Sequence, residues 1–506
     1  MLVKNLKLLP SNASISCEGS LRESPPSVTI AENEGLDLLN QGRFDFTNPG
    51  PLHTPILGFS IHRDDSLALI LETEIAPDAK STAVRYPSGT VRINTDQAEL
   101  VAAAGLQAVL TGVQTLTVKL LNDNLHKEVA RVHQLTVTRG DLGKAVYTIE
   151  WLDNLPDSPF IWPNSIHTKK GATGTSRIVL ADDSIMLFSP SLPDGVSQSC
   201  AKLMVAEQTL YVCAQSRESV GGGLGSGFIV YVGIPDDILR KKIRIALSFA
   251  LGTCLTELGH ALYDKEWNIV SVTSRSTYNL SKRIFDPAPM PLAPLSNRSF
   301  RYDLCRAELT RIVNALVAEY EKLDLGILSW AYWHACAATV HIAPAHFGAA
   351  IETLQRAYIK GRRGAIKTRI LDRPQWDKLQ EAIACVIANF QAAEESKRAL
   401  SDNLRNVNQV PQRAALKAVL RAIGIKLGAD EDDAWKRRNS GAHGLPIPEG
   451  DELGAIRDMK LLRGLFHRML LRISNASDFY VDYVSLDHPY RRLEEPVSPI
   501  ACVANK

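Results

Sequence analysis

From the start of the chain to about residue 235, apolar positions come in short runs of Val, Ile, Leu and Thr, set apart by Gly, Pro, Asn and Asp. That punctuation predicts strands. The clearest are Pro55–His62, Ser66–Glu74, Thr115–Leu121, Ala145–Trp151, Arg177–Ala181, Ser184–Ser189, Thr209–Ala214 and Gly227–Gly233. A helix-like stretch near Asp96–Leu110 interrupts them, and long polar loops are predicted at Cys17–Ala31 and Asp153–Thr175. A β-sandwich and a pair of mixed sheets both fit, and the pattern does not fix the strand order.

At Pro235 the period changes. Asp236–Gly259 places Ile238, Ile243, Leu247, Leu251 and Leu255 at helical spacing, with Arg240, Lys241, Lys242 and Arg244 on its early polar face. Four prolines within Asp286–Ser296 then predict a linker. Beyond it, helices are expected at Tyr302–Leu323, Ile327–Ala343, Ala345–Tyr358, Pro374–Leu400, Gln412–Leu427, Asp430–His443 and Glu452–Ser474. Within Pro374–Leu400, Leu379, Ile383, Val386, Ile387 and Phe390 are expected to be buried. Each helix carries one apolar stripe and so needs a partner, which makes an α-bundle. The fold class is α+β: a β-rich region over 1–290, with its helix at about 236–259, then an all-α helical bundle over 300–490 and a tail over 491–506.

Length and charge narrow the function. A chain of 506 residues suggests two or three domains. Its net charge of +2 provides no whole-protein field for nucleic acid, so any such site must be local. The 8 cysteines form no Cys-x-x-Cys, which argues against a zinc ribbon and a disulfide framework and fits a reducing cytoplasm. Met-Leu-Val-Lys-Asn-Leu-Lys at the start is not a signal peptide. Leu325–Ile351 carries no Asp, Glu, Lys or Arg and is long enough to span a bilayer. His334, His341, His346 and Pro344 interrupt it, so two core helices broken near Pro344 are expected, with the histidines satisfied in the core and no membrane partner.

One segment carries candidate chemistry: Arg438-Asn439-Ser440-Gly441-Ala442-His443-Gly444. It supplies a fixed cation and a side chain that can move a proton near neutral pH. At average residue frequencies Arg-x-x-x-x-His arises by chance in about half of chains this long, and Asn directly after the Arg lowers that to roughly a few per cent. Asp430 is expected to cap the motif helix and Asp433 to reach back as in a capping box; otherwise one of them orients His443 or Arg438. Gly444 and Pro446 suit its end. Asn439 and His443, four apart, share a helical face. Arg438 and His443, five apart, point about 140° from each other on a regular helix. Either the helix distorts at Ser440-Gly441, or two copies meet across a two-fold axis and share a cleft.

Arg438–Gly444 resembles the Arg-x4–6-His signature of the HEPN superfamily, and the chain's layout is similar to the ApeA-type branch. The likeness is specific at Arg438–Gly444, weaker at Phe347–Leu354 and loose in the β-rich half. It implies a metal-independent endoribonuclease with no cofactor, in which the RNA 2′-hydroxyl attacks phosphorus and leaves a 2′,3′-cyclic phosphate. His443 would be the general acid or base, Arg438 would stabilise the phosphorane charge, and Asn439 would position His443 or the phosphate. Arg437 is a weaker second cation. Glu352 resembles the early-helix acidic position of ApeA-like domains, although a structural salt bridge fits it as well. The resemblance further implies a homodimer or higher homo-oligomer through the helical domain. It also implies a role in anti-phage defence, with cellular RNA or tRNA as target and a phage-derived trigger at the N-terminal region.

Other features are weighed beside it. Arg356, Lys360, Arg362, Arg363, Lys367 and Arg369 form a basic stretch around Tyr358 that could follow an RNA backbone. Arg457, Lys460, Arg463, His467 and Arg468 are expected to form a solvated helix face. Gly221–Gly227 is expected to be a flexible hairpin loop, since no phosphate-binding glycine motif is satisfied. The rival reading is a non-catalytic HEPN-like module that binds RNA or protein, with the N-terminal half as its interaction surface.

Overall fold

A computed structural model of the chain describes residues 36, 39, 44–64, 66–81, 97–102, 106–122, 125–156, 160–170, 176–179, 185–188, 197–214, 227–277, 289–296, 303–362, 366–439 and 446–497. The architecture is α+β, a β-rich N-terminal region followed by a helical C-terminal one. The larger sheet runs, in order of neighbours, Phe44–Asn48 (β1), Gln97–Ala102 (β4), Gln107–Thr111 (β5), Gln134–Thr138 (β8), Ile269–Arg275 (β17), Thr256–Tyr263 (β16), Tyr147–Asp153 (β9), Gly227–Val232 (β15), Gln208–Ala214 (β14), Ser197–Val205 (β13), Asn164–Lys170 (β10), Ser176–Val179 (β11) and Ile185–Phe188 (β12). A smaller sheet pairs His53–Arg63 (β2), Leu69–Ser81 (β3), Leu125–Val132 (β7) and Gln114–Asn122 (β6). Every ladder is antiparallel.

Several expectations are corrected here. The helix-like stretch at Asp96–Leu110 is two strands, β4 and β5. Ala98, Leu100 and Ala102 alternate inward with Gln97, Glu99 and Val101 outward, and this period of two outweighs the helix propensity of its Ala and Leu. The polar stretch Asp153–Thr175 contains β10, an interior strand paired with β11 and β13. The helix expected over Asp236–Gly259 covers only Asp237–Leu251 (α1). Asp236 caps its start by accepting from Leu239 N at 2.7 Å. Gly252 ends it at φ +74°, where an added Cβ would lie 2.0 Å from the Met290 carbonyl carbon. The chain then turns into β16. The glycine stretch lies outside the described residues except for Gly227, as does Cys17–Ala31.

The helical region comprises Arg306–Ala318 (α2), Leu325–Ala337 (α3), Ala343–Gly361 (α4), Arg373–Asn389 (α5), Glu394–Val407 (α6), Gln412–Ala422 (α7), Ala429–Arg437 (α8) and Glu452–Ser474 (α9). A short hairpin, Phe479–Val481 (β18) with Tyr490–Arg492 (β19), follows. One hydrophobic core joins the two regions. Leu152 and Tyr231 of the sheet, Leu247 and Phe249 of α1, Tyr332, Phe347, Trp435 and Phe466 all belong to it. The proline-rich connection takes part, with Leu292, Ala293 and Leu295 buried.

The uncharged segment is two helices meeting near Pro344, and no described helix is long and apolar enough to cross a membrane. Its histidines are not the core residues expected: His341 and His346 are exposed, and half-buried His334 bonds through Nδ1 to the Trp330 carbonyl at 2.6 Å. Pro374–Leu400 divides into α5 and α6. Of the side chains expected to be buried there, Val386 is 67% and Phe390 62% exposed, while Trp376 is buried.

The expected solvated face of α9 is also corrected. Arg463, His467 and Arg468 are buried, because α9 is enclosed on all sides between Leu461 and Leu471. His467 accepts or donates a 2.7 Å hydrogen bond with the Tyr332 hydroxyl. Burial, helped by the Arg463 charge, pushes its pKa well below the usual histidine range. The unfolded chain therefore takes up a proton below about pH 6.5 that the folded chain refuses, and stability falls as the pH drops through that value. Urea denaturation at pH 7.5 and pH 5.5 should show a loss of up to ~1.4 kcal/mol from this residue. His467→Gln, which cannot titrate, should reduce the loss by that amount; an unchanged pH dependence would refute the assignment.

Candidate functional site

The candidate site is built where α8 ends against α4. Helix α8 starts at Gly428, whose amide donates to Glu431 Oε2 at 2.8 Å. Glu431 therefore fills the role expected of Asp433. Asp430 instead pairs with Arg457 at 2.6 Å, and Asp433 with Lys436 at 2.6 Å. The capping box expected of Asp430 and Asp433 is not formed: the helix begins two residues earlier, and both carboxylates find cations. Trp435 and Ala434 anchor the helix in the core.

Arg438 follows directly after α8. Its Nη2 donates to Glu352 Oε1 at 2.7 Å and its Nη1 to the Trp435 carbonyl at 2.8 Å. Its guanidinium lies over the Trp435 ring, 3.8 Å from the centroid. The side chain crosses α4 at Gly348, where an added Cβ would come within 2.6 Å of Arg438 Cδ. Gly348 and Glu352 are one turn apart, so the same face of α4 provides both the groove and the carboxylate. Arg438 is 11% exposed, and its two hydrogen bonds among the described residues use two of the five guanidinium N–H groups.

The other predicted residues divide. Asn439 is exposed beside Arg438. Arg437 is drawn away, forming a two-toothed pair with Asp458 of α9 at 2.7 Å on each side. His443 lies outside the described residues, as does the rest of 440–445 and the point where the motif helix would distort. Of the basic stretch, Arg363 lies outside them too. Arg356, Lys360, Arg362, Lys367 and Arg369 are exposed, and none pairs with a carboxylate among the described residues. Arg356 is one turn beyond Glu352 on α4 and bonds to Thr353 Oγ1. Arg362 bonds to the Tyr358 hydroxyl at 2.8 Å and stacks on its ring. Among the described residues no three His, Cys, Asp or Glu side chains come together as a metal site.

Two residues of this arrangement escape a reading of motifs. Trp435 stands three positions before Arg438 and Gly348 four before Glu352, spacings that in retrospect mark one helical face each. No family model, curated protein or solved structure matches the chain.

Proposed function

We propose that the chain is a metal-independent endoribonuclease of the HEPN type, acting in anti-phage defence. The observation that carries the reading is the fixed guanidinium: Arg438 is locked by Glu352, Trp435 and the Gly348 groove at the head of the motif. Preorganised cations act strongly on a charge that grows in the transition state, because no reorganisation is needed at the moment of reaction. In this mechanism one imidazole, His443 or its copy in a second chain, takes the 2′-hydroxyl proton or delivers one to the departing 5′-oxygen, and water or the other chain's imidazole carries the second of these two protons. The 2′-oxygen attacks phosphorus, the bond to the 5′-oxygen breaks, and a 2′,3′-cyclic phosphate and a 5′-hydroxyl remain. Arg438 holds the phosphorane oxygens and Asn439 positions the phosphate or the imidazole. Arg356 and Lys360, one and two turns beyond Glu352, extend positive charge along α4 for the RNA backbone. The helical region acts as a homodimer, and the β-rich region receives the trigger.

A second reading is supported by the near-burial of Arg438: a non-catalytic module in which its ion pair with Glu352 is structural. One assay separates the two. Purified protein is incubated with total RNA in EDTA, and product ends are mapped. Cyclic-phosphate and 5′-hydroxyl ends that vanish in His443→Ala support the nuclease. RNA binding without cleavage by either protein supports the module.

Gly348→Ala gives a finer test. The added methyl must push Arg438 off its groove, while alanine in a helix interior gains up to about 1 kcal/mol over glycine. The melting temperature should stay within a few degrees of wild type while cleavage falls at least tenfold. Full cleavage in a well-folded Gly348→Ala protein would show that the position of Arg438 is irrelevant.

A further inference from the structure

We propose a second binding site, for a small planar aromatic anion, where the proline-rich connection, α9 and the β18–β19 hairpin meet. A cavity of about 440 Å³ opens there, within the size range of small-molecule sites. Its walls are built in advance. The Pro289–Ser296 segment is pinned by the Tyr483 hydroxyl, which donates to the Pro291 carbonyl at 2.8 Å, and by the Ser296–Tyr490 hydroxyl contact at 3.1 Å. Backbone bonds from Met290 N to Gly252 O and from Cys305 N to Leu295 O fix its two ends. Leu292 and Ala293 face the core, so the segment cannot swing away without exposing them.

The chemistry of the lining selects the ligand. Phe160, Tyr483 and Tyr490 with the prolines of the segment present flat apolar surfaces, which favour a planar ring. Lys460 of α9 projects into the same space. It is half-buried and forms no ion pair among the described residues; its neighbour Asp458 is engaged by Arg437. A half-buried ammonium without a counter-charge among the described residues favours an anion. The carboxylate on the lining, Asp487, is exposed at the mouth, where water screens it. Asp487 and His488 hold that mouth with φ of +61° and +45°, and the His488 ring rests against Tyr483 at 5.0 Å between centroids. Two successive non-glycine residues in the left-handed region are uncommon and persist where surrounding contacts hold them.

The probes are indole-3-acetate and its neutral isostere indole-3-acetamide, titrated into the full chain by calorimetry and saturation-transfer NMR. The acetate should bind saturably with Kd at or below about 1 mM, the level of a fragment-sized ligand. The acetamide should bind about fivefold or more weakly. Lys460→Gln, a change at a half-exposed side chain, should erase that preference and leave acetamide binding unchanged. Ser296→Trp should fill the space and remove both. No saturable binding, equal binding of the two probes, or a preference that survives in Lys460→Gln would overturn the proposal. These readouts do not involve RNA, so the site stands or falls apart from the nuclease reading.

Discussion

RNA cleavage in EDTA should fall by about 10²–10⁴-fold in His443→Ala, the range for loss of a general acid or base. Arg438→Ala should lose about 10²–10³-fold, the range for removal of a preorganised charge-stabilising donor. The two losses differ in kind. His443→Ala should flatten the pH dependence of cleavage near neutrality, where imidazole titrates. Arg438→Ala also leaves Glu352 without its partner and Trp435 without its cation, so some destabilisation accompanies the lost activity. Glu352→Gln separates the two roles. It keeps the shape and removes the carboxylate charge, so Arg438 stays over Trp435 but is held less firmly. Cleavage should fall by less than in Arg438→Ala while folding is kept. Arg438→Lys should not rescue, because an ammonium cannot reproduce a planar fork stacked on an indole while bonded to both Glu352 and a carbonyl. Wild-type cleavage by His443→Ala would end the nuclease reading, and wild-type cleavage by Arg438→Lys would show that the fork and the stack are dispensable.

The elements that were legible share a physical trait: each carries its own period within one segment. Glu452–Ser474 has the predicted bounds of α9, and the runs at Thr209–Ala214 and Gly227–Gly233 fall on β14 and β15. Where two periods abut, the reading fails. Leu251 and Leu255 continue the spacing of α1 in sequence, yet Gly252 takes a left-handed turn and Leu255 leads into β16. Charges on α9 read as a solvated face because their partners are distant: Glu431 lies 37 positions before Arg468, and Tyr332 lies 135 before His467. The candidate site shows the same division. Arg438 and Asn439 are visible as a local motif. The groove at Gly348 and the carboxylate of Glu352, 86 positions earlier, become its neighbours only when α4 and α8 pack.

Arg468→Met should destabilise the protein by about 3–5 kcal/mol in urea denaturation, the cost of leaving one member of a buried ion pair without its partner. Arg468 and Glu431 are both fully buried and meet at 2.6 Å. The other two guanidinium nitrogens also donate, Nε to the Leu493 carbonyl at 2.9 Å and Nη2 to the Lys426 carbonyl at 2.8 Å. One side chain thus ties α9 to the segment after β19, to the loop before α8 and, through Glu431 and the Gly428 amide, to the first turn of α8. The consequence reaches the candidate site, because α8 is only nine residues long and Arg438 follows directly after it. If its start shifts, Trp435 and the guanidinium above it shift too. Arg468→Met should therefore weaken RNA cleavage even at temperatures where the protein remains folded. The double variant Glu431→Leu with Arg468→Met removes both charges and should recover more than half of the lost stability, since an apolar pair in the same space has no desolvation to offset. It should not recover cleavage, because the Gly428 amide and the Leu493 and Lys426 carbonyls remain without the groups that set the helix in place. A double variant no more stable than Arg468→Met would mean that the backbone bonds, not the ion pair, supply the stability.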